Sequence, residues 1–374
     1  MFTGVVALLA VGVAAHAATP GPEGPALVWR PVLELRPRFR VDLPDVGAPS
    51  AALAAALRAR VGMDVSRGIL AARVSMQDVR GWNDTGSISY GRMPNVGEAW
   101  AQIDATPSDN LGVTFTVGRQ PLQLEDGRLI GTRDWSMKGQ FLDGARLELI
   151  GAPLSVEVIN ARRYQGRRAE PFGAGITALR LGIGRDDPAN LWQIDAVGLV
   201  DARDSRRPVT TAGGFGKVES GRFRGRLEAY GQGDAAGAGT LLGARVGWVF
   251  GPEERVVLYG EGGVESGGAH PWQQILGDQR AYHGLLGLPG APADGDGSGA
   301  LTLDCRLSPR LRLDAAVRQD IATARVRPLA TTLESDLHWY VSPFAAFSLG
   351  GAFRAGADGL ALSAAGYGAI DVKF

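Results

Sequence analysis

Lysine is nearly absent from this chain. It occurs only as Lys138, Lys217 and Lys373, so almost all of the positive charge is arginine. Cysteine occurs once, at Cys305, which excludes an internal disulfide framework. Cys305 shares the apolar parity of Leu301, Leu303 and Leu307 and is read as a small hydrophobe. No stretch approaches the ~18 uninterrupted apolar residues that a membrane-crossing helix needs. Net charge is absent as well: 39 basic residues cancel 39 acidic ones, which removes a global electrostatic case for nucleic acid. The four histidines form no metal-spaced cluster with cysteine, and neither metal nor cofactor is expected. His338 and Ser335 lie on opposite faces of one strand pattern, so no catalytic residue is assigned.

What the sequence has in quantity is alternation and glycine. Gly is 54 of 374 residues, spread through strands and turns without the period of collagen. From Leu360 to Phe374 every second residue is apolar or Gly, while Ser363, Tyr367, Asp371 and Lys373 occupy the other face. A period of two is that of a β-strand with one apolar and one wet side. The same pattern recurs in eighteen segments, from Pro31–Asp42 through Gln140–Ile150 to Leu360–Phe374. Val209–Val218 is Gly-rich and alternates poorly, and sixteen strands is the fallback count.

Eight tight connections carry turn chemistry, among them Arg67-Gly68, Gly151-Ala152-Pro153 and Ser308-Pro309-Arg310. They interleave with longer ones, notably Val79–Asn95, Gln120–Gly139 and Ser266–Gly299. This sorting predicts a closed antiparallel transmembrane β-barrel with short periplasmic turns and long outer loops. No helical pattern is available to cover the apolar face, and lipid is the simpler cover.

The ends agree with export to an outer membrane. Met1–Ala17 has an apolar run and an Ala15-His16-Ala17 cleavage pattern, read as a signal peptide although no Lys or Arg precedes Arg30. Residues 18–29 are read as a periplasmic N-terminal segment and 30–374 as the barrel. The terminal aromatic Phe374 would serve as the signal for the barrel-insertion machinery.

The segment from Val96 to Leu149 contains Val117-Gly118-Arg119-Gln120, then Asp126-Gly127-Arg128-Leu129-Ile130-Gly131, Asp134-Trp135, and Phe141-Leu142-Asp143-Gly144-Ala145-Arg146. With Arg36-Pro37-Arg38-Phe39-Arg40 and the run Arg73 to Arg80 upstream, it resembles the alginate export family of outer-membrane barrels over roughly Glu34 to Glu148. The resemblance implies an eighteen-stranded monomeric pore with an Arg-lined constriction that passes an acidic polysaccharide outward, aided by a periplasmic conduit. A general or sugar-acid uptake porin would use the same barrel, and the sequence does not fix the direction of transport.

Arginine suits an anion path because it stays charged and offers a planar fork to carboxylates. Parity places Arg36, Arg38, Arg40, Arg58, Arg60, Arg73 and Arg146 on the inner face. Acids are nearly as numerous there, including Glu34, Asp64, Glu98, Glu148, Glu157 and Asp195. The same set of residues suits a charged path and a salt-bridge lattice alike. Arg119 and Asp143 fall on the lipid-facing parity; the resemblance puts an arginine here in the pore, which would require a bulge. Gln120–Gly139 carries Asp126, Arg128, Arg133, Asp134 and Trp135 and is expected to fold into the mouth.

Overall fold

The computed structural model describes residues 25–43, 52–82, 94–108, 111–124, 127–132, 137, 139–165, 168–169, 175–185, 190–202, 207–235, 237–251, 255–266, 296–322, 327–356 and 362–373. The signal peptide, residues 18–24, Arg133, Asp126, Asp134, Trp135, Phe374 and the segment 267–295 lie outside the described residues.

Nineteen strands follow one another. They are β1 (Val28–Leu43), β2 (Ala52–Arg67), β3 (Leu70–Trp82), β4 (Asn95–Ser108), β5 (Leu111–Gln120), β6 (Leu142–Gly151) and β7 (Leu154–Gln165). After a two-residue ribbon, β8 (Arg168–Ala169), come β9 (Ile176–Arg185), β10 (Asn190–Asp201), β11 (Val209–Ser220), β12 (Phe223–Asp234) and β13 (Gly237–Phe250). The last six are β14 (Val256–Ser266), β15 (Asp296–Ser308), β16 (Leu311–Ala322), β17 (Arg327–Ser342), β18 (Ala345–Gly356) and β19 (Leu362–Lys373).

All but β8 are staves of one antiparallel sheet in which each pairs with its chain neighbours. β1 pairs with β2 on one side and with β19 on the other, so the sheet closes into an eighteen-stranded barrel with no free edge. The poorly alternating segment is a full stave, β11. Its Gly213 faces Tyr230 across the ladder, where a Cβ would run into the ring, so the missing side chain makes room for an aromatic neighbour.

Alternation along each stave sorts the wall into two surfaces. Outward positions carry Val61, Met63, Val74, Leu181, Leu227, Leu301, Leu333 and Leu349, all exposed. Trp29, Trp192, Trp248 and Trp339 stand outward a few residues from the tight turns, with Trp339 stacked on Phe347 at 5.6 Å. An apolar belt edged by aromatic side chains is what a lipid-facing barrel wall presents. Leu301, at the middle of β15 and 60% exposed, tests this. Leu301→Arg should cost about 2–4 kcal/mol in a folding titration into lipid vesicles, while Thr302→Arg, one residue on and facing inward, should cost far less.

Candidate functional site

The inner wall is a lattice of ion pairs. Register brings the charged rows of adjacent staves opposite one another, so many of the inward arginines meet acids from the next strand. Across β19, β1, β2, β3 and β4, Asp371 and Glu34 flank Arg36, and Glu34 also takes Arg58 and, at 3.0 Å, Arg60. Arg60 reaches Glu98 at 3.8 Å, Arg73 reaches it at 3.4 Å, and Arg73 also pairs with Asp64. Arg58 is fully buried and Glu34 nearly so.

Across β6, β7, β9 and β10 a second chain runs Glu148–Arg146–Glu157–Arg180–Asp195, with links of 2.7 to 3.2 Å. A third lies on β14, β16 and β17, where Arg318 bridges Glu261 at 3.3 Å and Glu334 at 3.9 Å. Arg36, Arg38, Arg40, Arg58, Arg60, Arg73 and Arg146 thus all stand on the inner parity of their staves. Arg36, Arg58, Arg60, Arg73 and Arg146 are members of the lattice.

Arg119 is a correction. Its partners in register are Ala99 and Asp143; the β4–β5 ladder shifts only between Ala105 and Ser108, at its other end, and the β5–β6 ladder is in register throughout. The residue before it, Gly118, has φ of 121°, but the alternation is kept. Arg119 therefore stays on the outward parity near the long-loop rim. Its guanidinium holds both oxygens of Asp143, at 2.7 and 2.9 Å, and donates to the Val96 carbonyl. Mutual neutralisation makes an outward charge pair tolerable at the edge of the bilayer.

The connection between β5 and β6 folds into the barrel. Leu124 and Ile130 form a bridge, with the Leu124 amide donating to the Ile130 carbonyl at 2.9 Å, and Gly127, at φ 91°, makes the turn between them. The Gln140 side chain donates to the Gly131 carbonyl at 2.9 Å and fixes the returning arm. Leu122, Leu124, Leu129 and Ile130 are buried against Leu142, Ile159, Ile176, Leu199, Tyr230 and Leu241 of the inner wall. Each such burial contributes about 1.5–3 kcal/mol. The segment also reaches well away from this cluster. Met137 packs with Ala56 and Val79 of β2 and β3, and the Arg60 guanidinium lies over the Phe141 ring at 5.2 Å. Arg128 pairs with Glu228 of β12 at 3.3 Å and approaches Glu265 of β14 at 3.9 Å.

Beside Arg128, a hollow of about 70 Å³ is lined by Arg226 and Arg245, with Glu228 and Glu261. Arg226 lies over Phe215 at 4.5 Å and Arg245 over Tyr259 at 3.9 Å. Aromatic faces hold the guanidinium planes while their edges meet Glu228, at 3.1 Å from Arg226, and Glu261, at 3.7 Å from Arg245.

The inner apolar patch escapes a reading in which the inner face is simply the polar one. Its trace is apolar residues on both parities at the loop ends of several staves, as in Val158-Ile159 and Leu241-Leu242. Glu265, Phe215, Tyr259 and Phe141 are further site residues that only the register and the infolded segment bring together.

No protein-family model matches the sequence, and no curated protein does. Membership of the alginate export family is therefore not established. Solved structures do match. OccAB1 of Acinetobacter baumannii superposes with a TM-score of 0.65 at 14% identity, over 92% of this chain and 97% of that one. OpdO of Pseudomonas aeruginosa gives 0.64 at 14% identity, over 92% and 97%. A BenF-like porin from Pseudomonas fluorescens gives 0.61 at 13% identity, over 92% and 99%. These are porins of another kind than the alginate exporters. At such identities the likeness speaks for the fold. Together with the apolar outer belt, it identifies a closed eighteen-stranded barrel of the outer-membrane porin type.

Proposed function

We propose that this chain is an outer-membrane channel for the uptake of small, hydrophilic, acidic solutes of the sugar-acid kind. The observation that carries the reading is the infolded connection between β5 and β6, docked by a dry apolar cluster and narrowing the lumen from inside. A polymer in transit needs an uninterrupted track of one sign. This lumen is crossed by a packed segment and lined by arginines whose charge is largely matched by acids. Such a lattice stiffens the wall, and selectivity then rests on the charges at the narrowest part.

Arg128, Arg226 and Arg245 meet there against Glu228, Glu261 and, 3.9 Å from Arg128, Glu265, so three arginines face three acids and the anion preference rests on how the guanidinium groups are turned to the solute. Nothing among the described residues couples transport to energy, and net flux in this reading follows the concentration gradient. Deleting the gene should slow uptake of labelled galacturonate at low external concentration and leave the surface polysaccharide unchanged. Loss of the polysaccharide coat with normal galacturonate uptake would restore the export reading.

Charge at the narrowing gives a second test. In a planar bilayer the channel should prefer anions weakly, and Arg128→Gln should reduce that preference without unfolding the barrel. The preference should fade with added salt, as the reach of a fixed charge falls from ~10 Å at 0.1 M to ~3 Å at 1 M. A reversal potential unchanged by Arg128→Gln would remove Arg128 from the solute path.

A further inference from the structure

A sector of the long-loop rim breaks the apolar outer wall. Arg80 of β3, Arg119 of β5, Asp143 of β6 and Arg162 of β7 all stand on the lipid-facing parity, within three residues of the loop ends of their staves. Asp78 joins them on β3, and Asn160 on β7 donates to Thr177 of β9 at 2.9 Å. At the corresponding ends of β10, β13, β14, β16 and β18 the outward positions are uncharged, as at Val200, Thr240, Val264, Gln319 and Phe353. Outward charge on this rim is thus gathered on one side of the barrel, from β3 to β7.

The pairing within the sector decides what it can hold. Arg119 is engaged by both oxygens of Asp143 and is treated as neutralised. Arg162 lies beside Asp143 in register, yet makes no ion pair or hydrogen bond among the described residues. Arg80 meets Asp78 through Nε, at 2.7 Å, and its side chain is 46% exposed. Its terminal nitrogens have no partner among the described residues. Two outward guanidinium groups therefore keep unused donors at the height where the hydrocarbon ends. Directly below them the wall is apolar and exposed at Val117, Val158 and Leu179.

An arginine on a lipid-facing wall is tolerated when its head reaches the polar layer and meets an opposite charge there. Phosphate suits this fork-shaped donor, because two parallel N–H groups can hold two of its oxygens. Long loops mark the outer side of such barrels, so the layer in question is that of the outer leaflet.

We propose that this sector is a docking surface for a phosphorylated, anionic lipid of the outer leaflet. Arg162 and Arg80 hold its phosphates, and its acyl chains lie on the apolar wall beneath. The surface is outside the lumen and does not rest on the uptake function proposed above.

The test is native mass spectrometry of the purified barrel in detergent, titrated with lipid A bearing two phosphates, with the same lipid after dephosphorylation, and with phosphatidylcholine. The phosphorylated lipid should stay bound, and the other two should be lost with the detergent. Arg162→Gln and Arg80→Gln should each weaken retention about fivefold, the contribution of one basic side chain at an anionic lipid surface, and together about twenty-five-fold. Arg310→Gln, in the tight turn between β15 and β16 at the other end of the barrel, should leave retention as it is. If a variant fails to fold, added salt gives the reading on the unaltered barrel, since screening should release the phosphorylated lipid.

Equal retention of the dephosphorylated lipid, undiminished retention by the double variant, or no binding by the unaltered barrel would overturn the assignment. Retention that ignores salt would do the same, because it would put the acyl chains alone in charge of binding.

Discussion

Replacing Leu124 and Ile130 together by aspartate will release the infolded segment and raise single-channel conductance several-fold, with the barrel still folded. Both side chains are fully buried in the cluster against β6, β7, β9, β10, β12 and β13. An unpaired carboxylate at either position costs more than the apolar burial contributes, so the docked state is lost. The staves do not depend on that cluster for closure, because their backbone pairing is continuous from β1 to β19. Conductance in a planar bilayer measures the opening, and heat-modifiable migration on a gel reports the folded barrel. A variant with unchanged conductance would mean that the segment does not set the narrowest section.

The second large effect concerns the lattice. Glu34→Gln leaves Arg58, which has no exposed surface, without the carboxylate that accepts from its guanidinium. Removing one partner of a buried pair typically costs about 3–5 kcal/mol, because the other charge stays buried and uncompensated. Glu34 also engages Arg60, so the loss should reach the upper part of that range. Denaturant titration of the folded barrel in vesicles reads it directly. The double change Glu34→Gln with Arg58→Met should recover part of the stability, since it removes the buried charge that lost its partner, while the 3.0 Å contact of Arg60 stays lost. A single substitution that costs nothing would show that water reaches Arg58.

Much of this molecule can be read from alternation. Period two in segments such as Leu311–Asp320 identifies the staves and the inward arginines, because in a barrel wall parity alone decides which solvent a side chain meets. Pairing is a different matter. That Glu34 meets both Arg58 and Arg60 follows from the β1–β2 register, and no property of either strand taken singly states it. Arg119 shows how a family pattern can mislead. The resemblance favoured a bulge that would turn it inward, whereas alternation alone, kept through Gly118, places it outward against Asp143.

The infolded connection was legible as a segment destined for the mouth. Its landing site was not, because an apolar patch on the inner parity contradicts the rule that makes the staves readable. Ile159, Ile176 and Leu199 belong to a small folded core inside a water-filled barrel, formed only when Leu124 and Ile130 arrive to cover it.

The most direct measurement is a size series in liposomes carrying the purified barrel. Swelling rates would be compared for galacturonate, its dimer and trimer, and a long uronate polymer. A channel narrowed by the docked segment should pass the monomer quickly, slow sharply at the dimer and trimer, and exclude the polymer. Leu124→Asp with Ile130→Asp should lift that limit. Passage of the long polymer through the unaltered barrel, or exclusion of the monomer, would contradict a small-solute channel set by the segment between β5 and β6.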